Sequence, residues 1–212
     1  MLQTQTVEPS TLELLKKLQQ EPLLATFNLV GGTALALRIG HRKSVDLDLF
    51  TREEFDLEEV KSMLIEKYDL KVSFERHQTL KGFIGGVMID CIRFNYPHLQ
   101  APEEIDGVRL ESIPDIIAMK LSAIAQNGTR IKDFIDIATL STKYSLDEML
   151  QFYIDKFPNA NVVVPAKALT YFDEINFDES VVMTSEKFDW KRVAKRLQDM
   201  ARNPQKIFQT SL

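Results

Sequence analysis

Cysteine and long apolar runs are scarce in this chain. Cys91 is the single cysteine among 212 residues, so no internal disulfide can form and the chain suits a reducing compartment. No apolar run approaches the roughly 18 residues that a membrane-spanning helix needs. The first ten residues also lack the basic and apolar regions of a secretion signal. These absences predict a cytoplasmic protein with no membrane partner.

A general excess of positive charge is missing as well. The net charge is −5 at pH 7, so the chain has no overall basic field that would attract nucleic acid. The charge is unevenly distributed, because residues 187–206 hold seven Lys or Arg against two Asp, a local charge of +5. This segment could contact an RNA backbone, or it could be the solvated face of an amphipathic terminal helix.

Hydrophobic residues make up 44% of the chain, which suffices for one core with a small helical annex. Strand and helix patterns alternate up to residue 111, and from residue 112 onward the pattern is helical. We therefore predict an α+β fold, in which residues 1–111 form a mixed β-sheet with flanking helices. Residues 112–212 are predicted to form a helical domain that completes the active site.

Local signals predict where several elements begin and end. Helices are expected to start at Ser10, Thr51, Ser112 and Ser145, because a hydroxyl side chain can accept a hydrogen bond from the first helical turn. Residues 70–77 and 83–96 have the composition of paired strands, joined by a turn at 79–82.

Two aspartates, Asp46 and Asp48, alternate with apolar residues in the segment SVDLDLF. Residues i and i+2 of a strand project to the same face, so the two carboxylates repel each other unless a cation lies near them. The preceding Gly31-Gly32 turn leads into a helix N-terminus, which is suited to phosphate. Carboxylate oxygens are ligands for Mg²⁺, so the whole segment predicts phosphoryl or nucleotidyl transfer.

Two segments carry a family resemblance. LVGGTALALRIGHRKSVDLDLF (29–50) resembles the first motif of the AbiEii/AbiGii toxin family, a branch of the nucleotidyltransferase superfamily. DIIAMKLSAIAQNGTRIKDFIDIATL (115–140) resembles the second motif of that family. The matching positions are Gly31, Gly32, Thr33, Ala34, Leu35, Arg42, Ser44, Asp46, Asp48 and Phe50 in the first segment, and Lys120, Arg130, Lys132, Asp133 and Asp136 in the second.

The resemblance implies a nucleotidyltransferase fold in which Asp46 and Asp48 bind divalent metal, Mg²⁺ or Mn²⁺. A third acid commonly lies on a neighbouring strand, and Asp90 in VMIDCIRF is the candidate. The alternative for Asp90 is a place at a sheet edge, open to water. The triphosphate of a nucleoside triphosphate (NTP) is expected to bind to five further residues of the first motif, namely Gly31, Gly32, Thr33, Arg42 and Ser44.

The second motif adds two candidate catalytic residues. Lys120 could reach a phosphate and neutralise charge that develops there, or it could be a lysine at a helix margin. Asp133 could act as a base or orient the acceptor hydroxyl, or it could form a structural ion pair. Asp136 is expected to be structural. Cys91 is expected to pack in the core on the face opposite Asp90.

The resemblance further implies the reaction. A metal-dependent enzyme would move a nucleoside monophosphate from an NTP to a hydroxyl of RNA, tRNA in particular, or of a protein. It would be the toxin of a toxin–antitoxin pair, with a cognate antitoxin as partner. The alternatives are a non-catalytic, nucleotide-binding regulatory member of the same fold, a glycosyltransferase, and a plain structural or interaction protein.

Overall fold

The computed structural model describes residues 1–185 and 187–211, which divide into two compact units. Unit 1 comprises residues 1–97 and 101–111, and unit 2 comprises residues 98–100 and 112–212. The described residues contain seven β-strands in one mixed sheet and eight α-helices, so the α+β prediction is confirmed.

Unit 1 contains the whole sheet and three of the helices. In chain order its elements are α1 Pro9–Gln20, β1 Asn28–Leu29, α2 Gly31–Ile39, β2 Leu47–Thr51, α3 Leu57–Tyr68, β3 Lys71–Arg76, β4 Thr79–Ile84, β5 Val87–Arg93, β6 Glu103–Ile105 and β7 Val108–Leu110.

The sheet order is β3-β4-β5-β2-β1-β7-β6. The β2–β5 and β1–β7 pairs are parallel, and the other neighbouring strands are antiparallel. In β2, Leu47 and Leu49 are fully buried, whereas Asp48 and Phe50 are only half-buried. This alternation gives the strand one core face and one more open face, and Asp48 lies on the open face.

Strands lie in the regions predicted at 70–77 and 83–96, but the turns that join them lie at other positions: between β3 and β4, and between β4 and β5. Residues 83–96 are not one strand, because Gly85 and Gly86 form a turn with φ of +56° and +85° between β4 and β5. Gly82 lies inside β4, where an added Cβ would be 2.6 Å from the Lys71 carbonyl oxygen. Its small size therefore serves close strand packing, and the turn predicted at 79–82 is wrong.

Two of the four predicted helix starts are confirmed. Ser112 accepts a hydrogen bond from the Asp115 backbone, and Ser145 forms a capping box with Glu148. Ser10 does not cap a helix, because α1 begins at Pro9 after Glu8. Thr51 is instead the last residue of β2, and its hydroxyl pairs with that of Thr26 at 2.9 Å. Helix α3 begins at Leu57 after Asp56, whose carboxylate accepts from two backbone N–H groups. The helix begins at the acid and not at the threonine, because the negative charge of an aspartate cap also interacts favourably with the helix dipole.

Unit 2 is helical throughout its regular structure. Its elements are α4 Ile113–Gln126, α5 Ile131–Leu140, α6 Leu146–Lys156, α7 Val163–Ala168 and α8 Trp190–Arg202. Helix α8 buries Val193, Leu197 and Met200 as one stripe, while its charged residues lie off that stripe. None of the helices described is long and apolar enough to cross a membrane.

Candidate active site

The turn between β1 and α2 places its two glycines against the acidic strand β2. Gly31 has φ of +70°, and a Cβ added there would overlap the carboxylate of Asp48. A Cβ on Gly32 would lie 2.6 Å from Nη2 of Arg42 and 3.3 Å from Oγ of Ser44. Glycine is therefore required at Gly31 both for its backbone conformation and for the close approach of Asp48.

Hydrogen bonds hold the segment before β2 against α2. The Thr33 hydroxyl is 2.9 Å from the Ser44 hydroxyl and donates to the Asp46 carbonyl at 2.5 Å. Arg42 is buried, with 3% exposure, and its Nη1 donates to the Lys43 carbonyl at 3.0 Å. The first predicted motif thus forms one contiguous cluster at the N-terminal end of α2, where unpaired helix N–H groups and the helix dipole favour anions.

The sheet register aligns the carboxylate of Asp48 with a third acid. Asp48 of β2 is paired with Asp90 of β5, and Asp90 is paired in turn with Lys81 of β4. Paired residues of neighbouring strands project to the same face. Asp46, two residues before Asp48, lies at the start of this row, and we call Asp46, Asp48 and Asp90 the unit 1 acids.

Asp90 is neither at a sheet edge nor open to water. Its strand lies between β4 and β2, and the residue is 5% exposed. One carboxylate oxygen, Oδ2, forms an ion pair with Lys81, whose side chain is 39% exposed. The other oxygen, Oδ1, is buried and has no hydrogen-bond partner among residues 1–185 and 187–211. The sequence-based prediction did not include Lys81, because only the register of β4 with β5 brings it to Asp90.

The unit 1 acids have the chemistry of a divalent-cation site. Mg²⁺ prefers carboxylate oxygens and is held in proteins by one or two of them together with substrate phosphates. A buried carboxylate oxygen that accepts no hydrogen bond is unfavourable unless a cation compensates it. The unit 1 acids therefore have the donor chemistry for a divalent ion, and the unpaired Oδ1 of Asp90 is the oxygen that such an ion would compensate.

Cys91 points away from these acids into the core. It is 1% exposed and is paired with the buried Leu80 and Leu49 on the neighbouring strands. Burial, and to a lesser extent the charge of Asp90, raises the pKa of the Cys91 thiol to about 12. The thiol is therefore protonated near neutral pH, and its role is packing, as predicted.

Lys120 and Asp133 lie in unit 2, in α4 and α5. Lys120 Nζ is 2.7 Å from Oδ1 of Asp133 and 2.6 Å from Oδ2 of Asp136. All three side chains are at most 6% exposed, and Arg130 Nε lies 3.9 Å from Oδ2 of Asp133. The structure brings the second predicted motif together as a buried ion-pair cluster, which we call the Lys120 cluster.

A second buried ion pair in unit 2 was not predicted. Lys156 Nζ lies 2.6 Å from Oδ1 of Asp115, and these side chains are 3% and 0% exposed. The Asp115 carboxylate also accepts from the Ser112 hydroxyl and from the backbone N–H groups of Leu99 and Gln100. Burial by itself raises the pKa of Asp115, but the hydrogen bonds from Lys156, Ser112 and Leu99 outweigh it and hold this pKa below its ordinary value. The two residues are 41 positions apart, so no local pattern in the sequence indicates that they form a pair.

Comparisons with known proteins identify the family of the chain. The family described as nucleotidyl transferase AbiEii toxin, type IV TA system, matches residues 13–106 and 82–209. The protein aq_aa25 of Aquifex aeolicus is 32% identical over 168 residues, which cover 76% of this chain and 81% of the relative.

Solved structures show the same fold at low sequence identity. A candidate nucleotidyltransferase from Helicobacter pylori superposes with a TM-score of 0.59 at 19% identity, covering 93% of this chain and 96% of its own. MenT4, a nucleotidyltransferase toxin from Mycobacterium tuberculosis, gives a TM-score of 0.55 at 14% identity, covering 90% and 86%.

Proposed function

Because the chain belongs to the AbiEii family of nucleotidyltransferase toxins, we propose that it is a metal-dependent enzyme that transfers a nucleoside monophosphate from an NTP to an acceptor hydroxyl. We propose RNA, and tRNA in particular, as the acceptor, and a protein hydroxyl is the other acceptor class. The family also supports a cognate antitoxin as the partner.

One observation carries the proposal: the register of β2 with β5. It sets Asp48 beside Asp90 on the more open face of the sheet, with Asp46 two residues away. The glycine turn that starts α2 lies directly against Asp48. Carboxylates that can hold a metal ion are therefore adjacent to a helix N-terminus that can hold phosphate.

The reaction breaks a phosphoanhydride bond of the NTP and forms a phosphoester bond to the acceptor. The acceptor hydroxyl oxygen attacks the α-phosphorus and loses its proton, and the bond from the α-phosphorus to the bridging oxygen of the β-phosphate breaks. Pyrophosphate leaves with the electron pair of that bond. Asp46, Asp48 and Asp90 would hold the divalent ion, which when bound polarises the α-phosphoryl group and neutralises charge on the triphosphate.

The other residues of the first motif bind and orient the triphosphate in this proposal. The backbone of Gly31, Gly32 and Thr33 presents N–H groups at the positive end of α2, which favours phosphate oxygens. Arg42 adds a fixed positive charge next to Gly32, and Ser44 holds the Thr33 hydroxyl in place. Lys120 and Asp133 remain predicted catalytic residues. Because substitutions at these buried residues can also unfold the protein, the transfer activity of each variant is expressed per amount of folded protein.

The test measures transfer of radioactive label. The protein is incubated with each α-³²P-labelled NTP, total RNA and Mg²⁺, beside the variant Asp48→Asn, which keeps the size of the side chain and removes its charge. We expect label in RNA with the wild type, and a loss on the order of 10²-fold or more in the variant, by analogy with other electrostatic catalytic groups.

Three further arms decide between the alternatives. EDTA should abolish transfer and Mn²⁺ should restore it if the metal is required. Label that resists RNase and is removed by protease would identify a protein acceptor. Metal-dependent thermal stabilisation by NTP without any transfer would indicate the non-catalytic, nucleotide-binding alternative.

A further inference from the structure

The basic segment at the C-terminal end of unit 2 lines a cavity of about 370 Å³. Helix α8 forms one wall, and the residues that follow it form the other. The cavity is lined by Arg192, Lys195, Arg196, Asp199, Lys206, Phe208, Thr210 and Ser211. These side chains carry four positive charges against one negative charge, so the segment's positive charge is gathered around a cavity.

Arg196 forms the fixed part of the lining. Its Nη1 donates to the Ser141 hydroxyl at 2.9 Å, and its Nη2 donates to the Thr210 carbonyl at 2.8 Å. The guanidinium lies over the ring of Phe208, with 4.4 Å between its Cζ atom and the ring centroid. The Phe208 N–H donates to the Ser141 carbonyl at 2.9 Å. These contacts hold the C-terminal segment against α8 and keep the cavity open.

The cations of the cavity repel one another. Burial lowers the pKa of Arg196, Asp199 opposes this effect, and the neighbouring charge of Arg192 lowers the pKa further. Asp199 is also paired with Arg202, whose Nη1 lies 3.6 Å from Oδ1 of Asp199 and which does not line the cavity. Like charges gathered around a cavity are stabilised by an anion that enters it.

Lys195 and Lys206 have no acidic partner within the described ranges. Both residues are exposed, and the nearest group to Lys206 Nζ that stabilises its charge is the Phe208 ring, with 4.9 Å to the centroid. The hydroxyls of Thr210 and Ser211 supply neutral donors at the same cavity. Lysine, arginine and hydroxyl donors around one cavity are the groups that proteins use to bind phosphate oxygens.

From these contacts we propose that the cavity between α8 and residues 206–211 binds phosphate groups of an RNA backbone. The bound phosphate groups belong to a polyanion and not to free phosphate, because the positive charge of the segment continues outside the cavity. Lys187, Lys191 and Arg202 belong to the same segment but do not line it. A free phosphate would occupy the cavity alone, whereas a nucleic-acid strand would extend past these cations. The inference rests on the proposed function only in taking RNA as the acceptor.

The test compares the double variant Lys195→Gln/Lys206→Gln with the control Lys167→Gln. Lys167 is an exposed lysine of the same unit that lies outside the cavity lining. Binding of fluorescein-labelled bulk tRNA is followed by fluorescence anisotropy from 50 to 200 mM KCl, and the melting temperature of each variant confirms folding. We expect the double variant to bind about tenfold or more weakly, with the slope of log K against log[salt] flatter by about 1 to 2. The control should match the wild type.

Several results would overturn the inference. Equal losses in the control and the double variant would indicate a diffuse field and no specific site. If inorganic phosphate stabilises the wild type and not the double variant while tRNA binding is unchanged, the cavity serves free phosphate. If polyglutamate competes with tRNA only for the wild type, and tRNA binding survives in the double variant, the occupant is an acidic polypeptide.

The catalytic and binding proposals fail separately. Asp48→Asn should lose transfer and keep the affinity for tRNA. A wild type that binds tRNA through the cavity and transfers no label would contradict the proposed function and leave this inference intact.

Discussion

Each unit holds a group of acidic side chains, and the two groups balance their charge differently. In the Lys120 cluster of unit 2, a buried lysine bridges Asp133 and Asp136 at 2.7 and 2.6 Å. In unit 1, Asp46 and Asp48 are half-buried, and Asp90 keeps one oxygen without a hydrogen bond among the residues described. Each group therefore contains a lysine ion pair and one buried carboxylate oxygen without a hydrogen bond among the residues described, Oδ2 of Asp133 and Oδ1 of Asp90. The groups differ in the lysine, because the Lys120 side chain is 6% exposed and the Lys81 side chain is 39% exposed.

The contrast is one of burial, because the lysine of the Lys120 cluster lies inside unit 2 and the lysine beside Asp90 is partly exposed to water. Removing one partner of a buried ion pair is strongly destabilising, because it leaves a charge in a medium that solvates it poorly. A charge that is partly exposed is solvated by water, so removing it costs less stability. Stability should consequently respond more strongly to substitutions in the Lys120 cluster than to those among the unit 1 acids.

The largest loss of stability is expected for Lys120→Met. The variant leaves Asp133 and Asp136 buried together without their lysine, which should lower the free energy of unfolding by about 3–5 kcal/mol. Urea denaturation measures this loss. Lys132→Met is the matched control, because its ion pair with Glu179 is about a quarter exposed and should contribute less than about 1 kcal/mol. Equal losses in both variants would remove the distinction between the two kinds of ion pair.

Gly31→Ala should destabilise the glycine turn through two effects that a control can separate. The variant places a Cβ at φ of +70° and against Asp48, whereas Gly107→Ala places one at φ of +77° with nothing within 4 Å. Backbone strain alone is expected to lower the free energy of unfolding by about 1–3 kcal/mol in each variant. Gly31→Ala should lose more stability than the control, and it should also lose nucleotide transfer. A comparison of the two melting curves at one pH measures the difference.

Acid should weaken unit 2 through the Asp115–Lys156 pair. The folded-state pKa of Asp115 is held below its ordinary value, so the unfolded state binds the proton more tightly. The stability from this carboxylate is present above about pH 4, near the pKa of an unperturbed aspartate, and is lost as the pH falls towards the folded-state pKa. Urea midpoints between pH 3 and 6 should therefore fall with acid in the wild type and fall less steeply in Asp115→Asn. Parallel curves would show that this carboxylate is not linked to folding.

The smallest effect on stability is expected for Asp48→Asn, although its effect on transfer is severe. Asp48 is half-buried and the change keeps the size of its side chain, so the free energy of unfolding should change by about 1 kcal/mol or less. Asp136→Asn is the contrasting variant, because it weakens the buried contact with Lys120 and should lower stability. A clear loss of stability in Asp48→Asn would mean that unit 1 needs all of its acids for folding.

Local features of unit 1 were predictable because their causes lie close together in sequence. The Gly31-Gly32 turn, helix α2 and the alternation of β2 all lie within residues 28–51. The glycines, the residues with high helix propensity and the alternating apolar positions each determine the conformation of only a few neighbouring residues. The family resemblance also rests on such a contiguous segment, and the family comparison confirmed it.

Features that depend on strand register or distant pairs were predicted less well. The turn was expected at 79–82 because Gly82 was taken as a turn residue, but the glycine is needed where β4 crowds the backbone of Lys71. Thr51 was expected to cap a helix, but it pairs with Arg93 at the end of β2 instead. In both cases a contact with another strand overrides a local preference of the backbone.

The order of residues along the chain thus specifies the elements, the acidic strand and the basic segment, because propensity and periodicity are properties of neighbouring residues. Ion pairs between residues far apart in the chain follow from folding alone. Lys81 meets Asp90 through a hairpin register, Lys156 meets Asp115 across 41 residues, and the tail closes the basic cavity against α8. Charges act through space, so a buried carboxylate is stabilised by whichever cation the packing of the core brings within hydrogen-bonding distance.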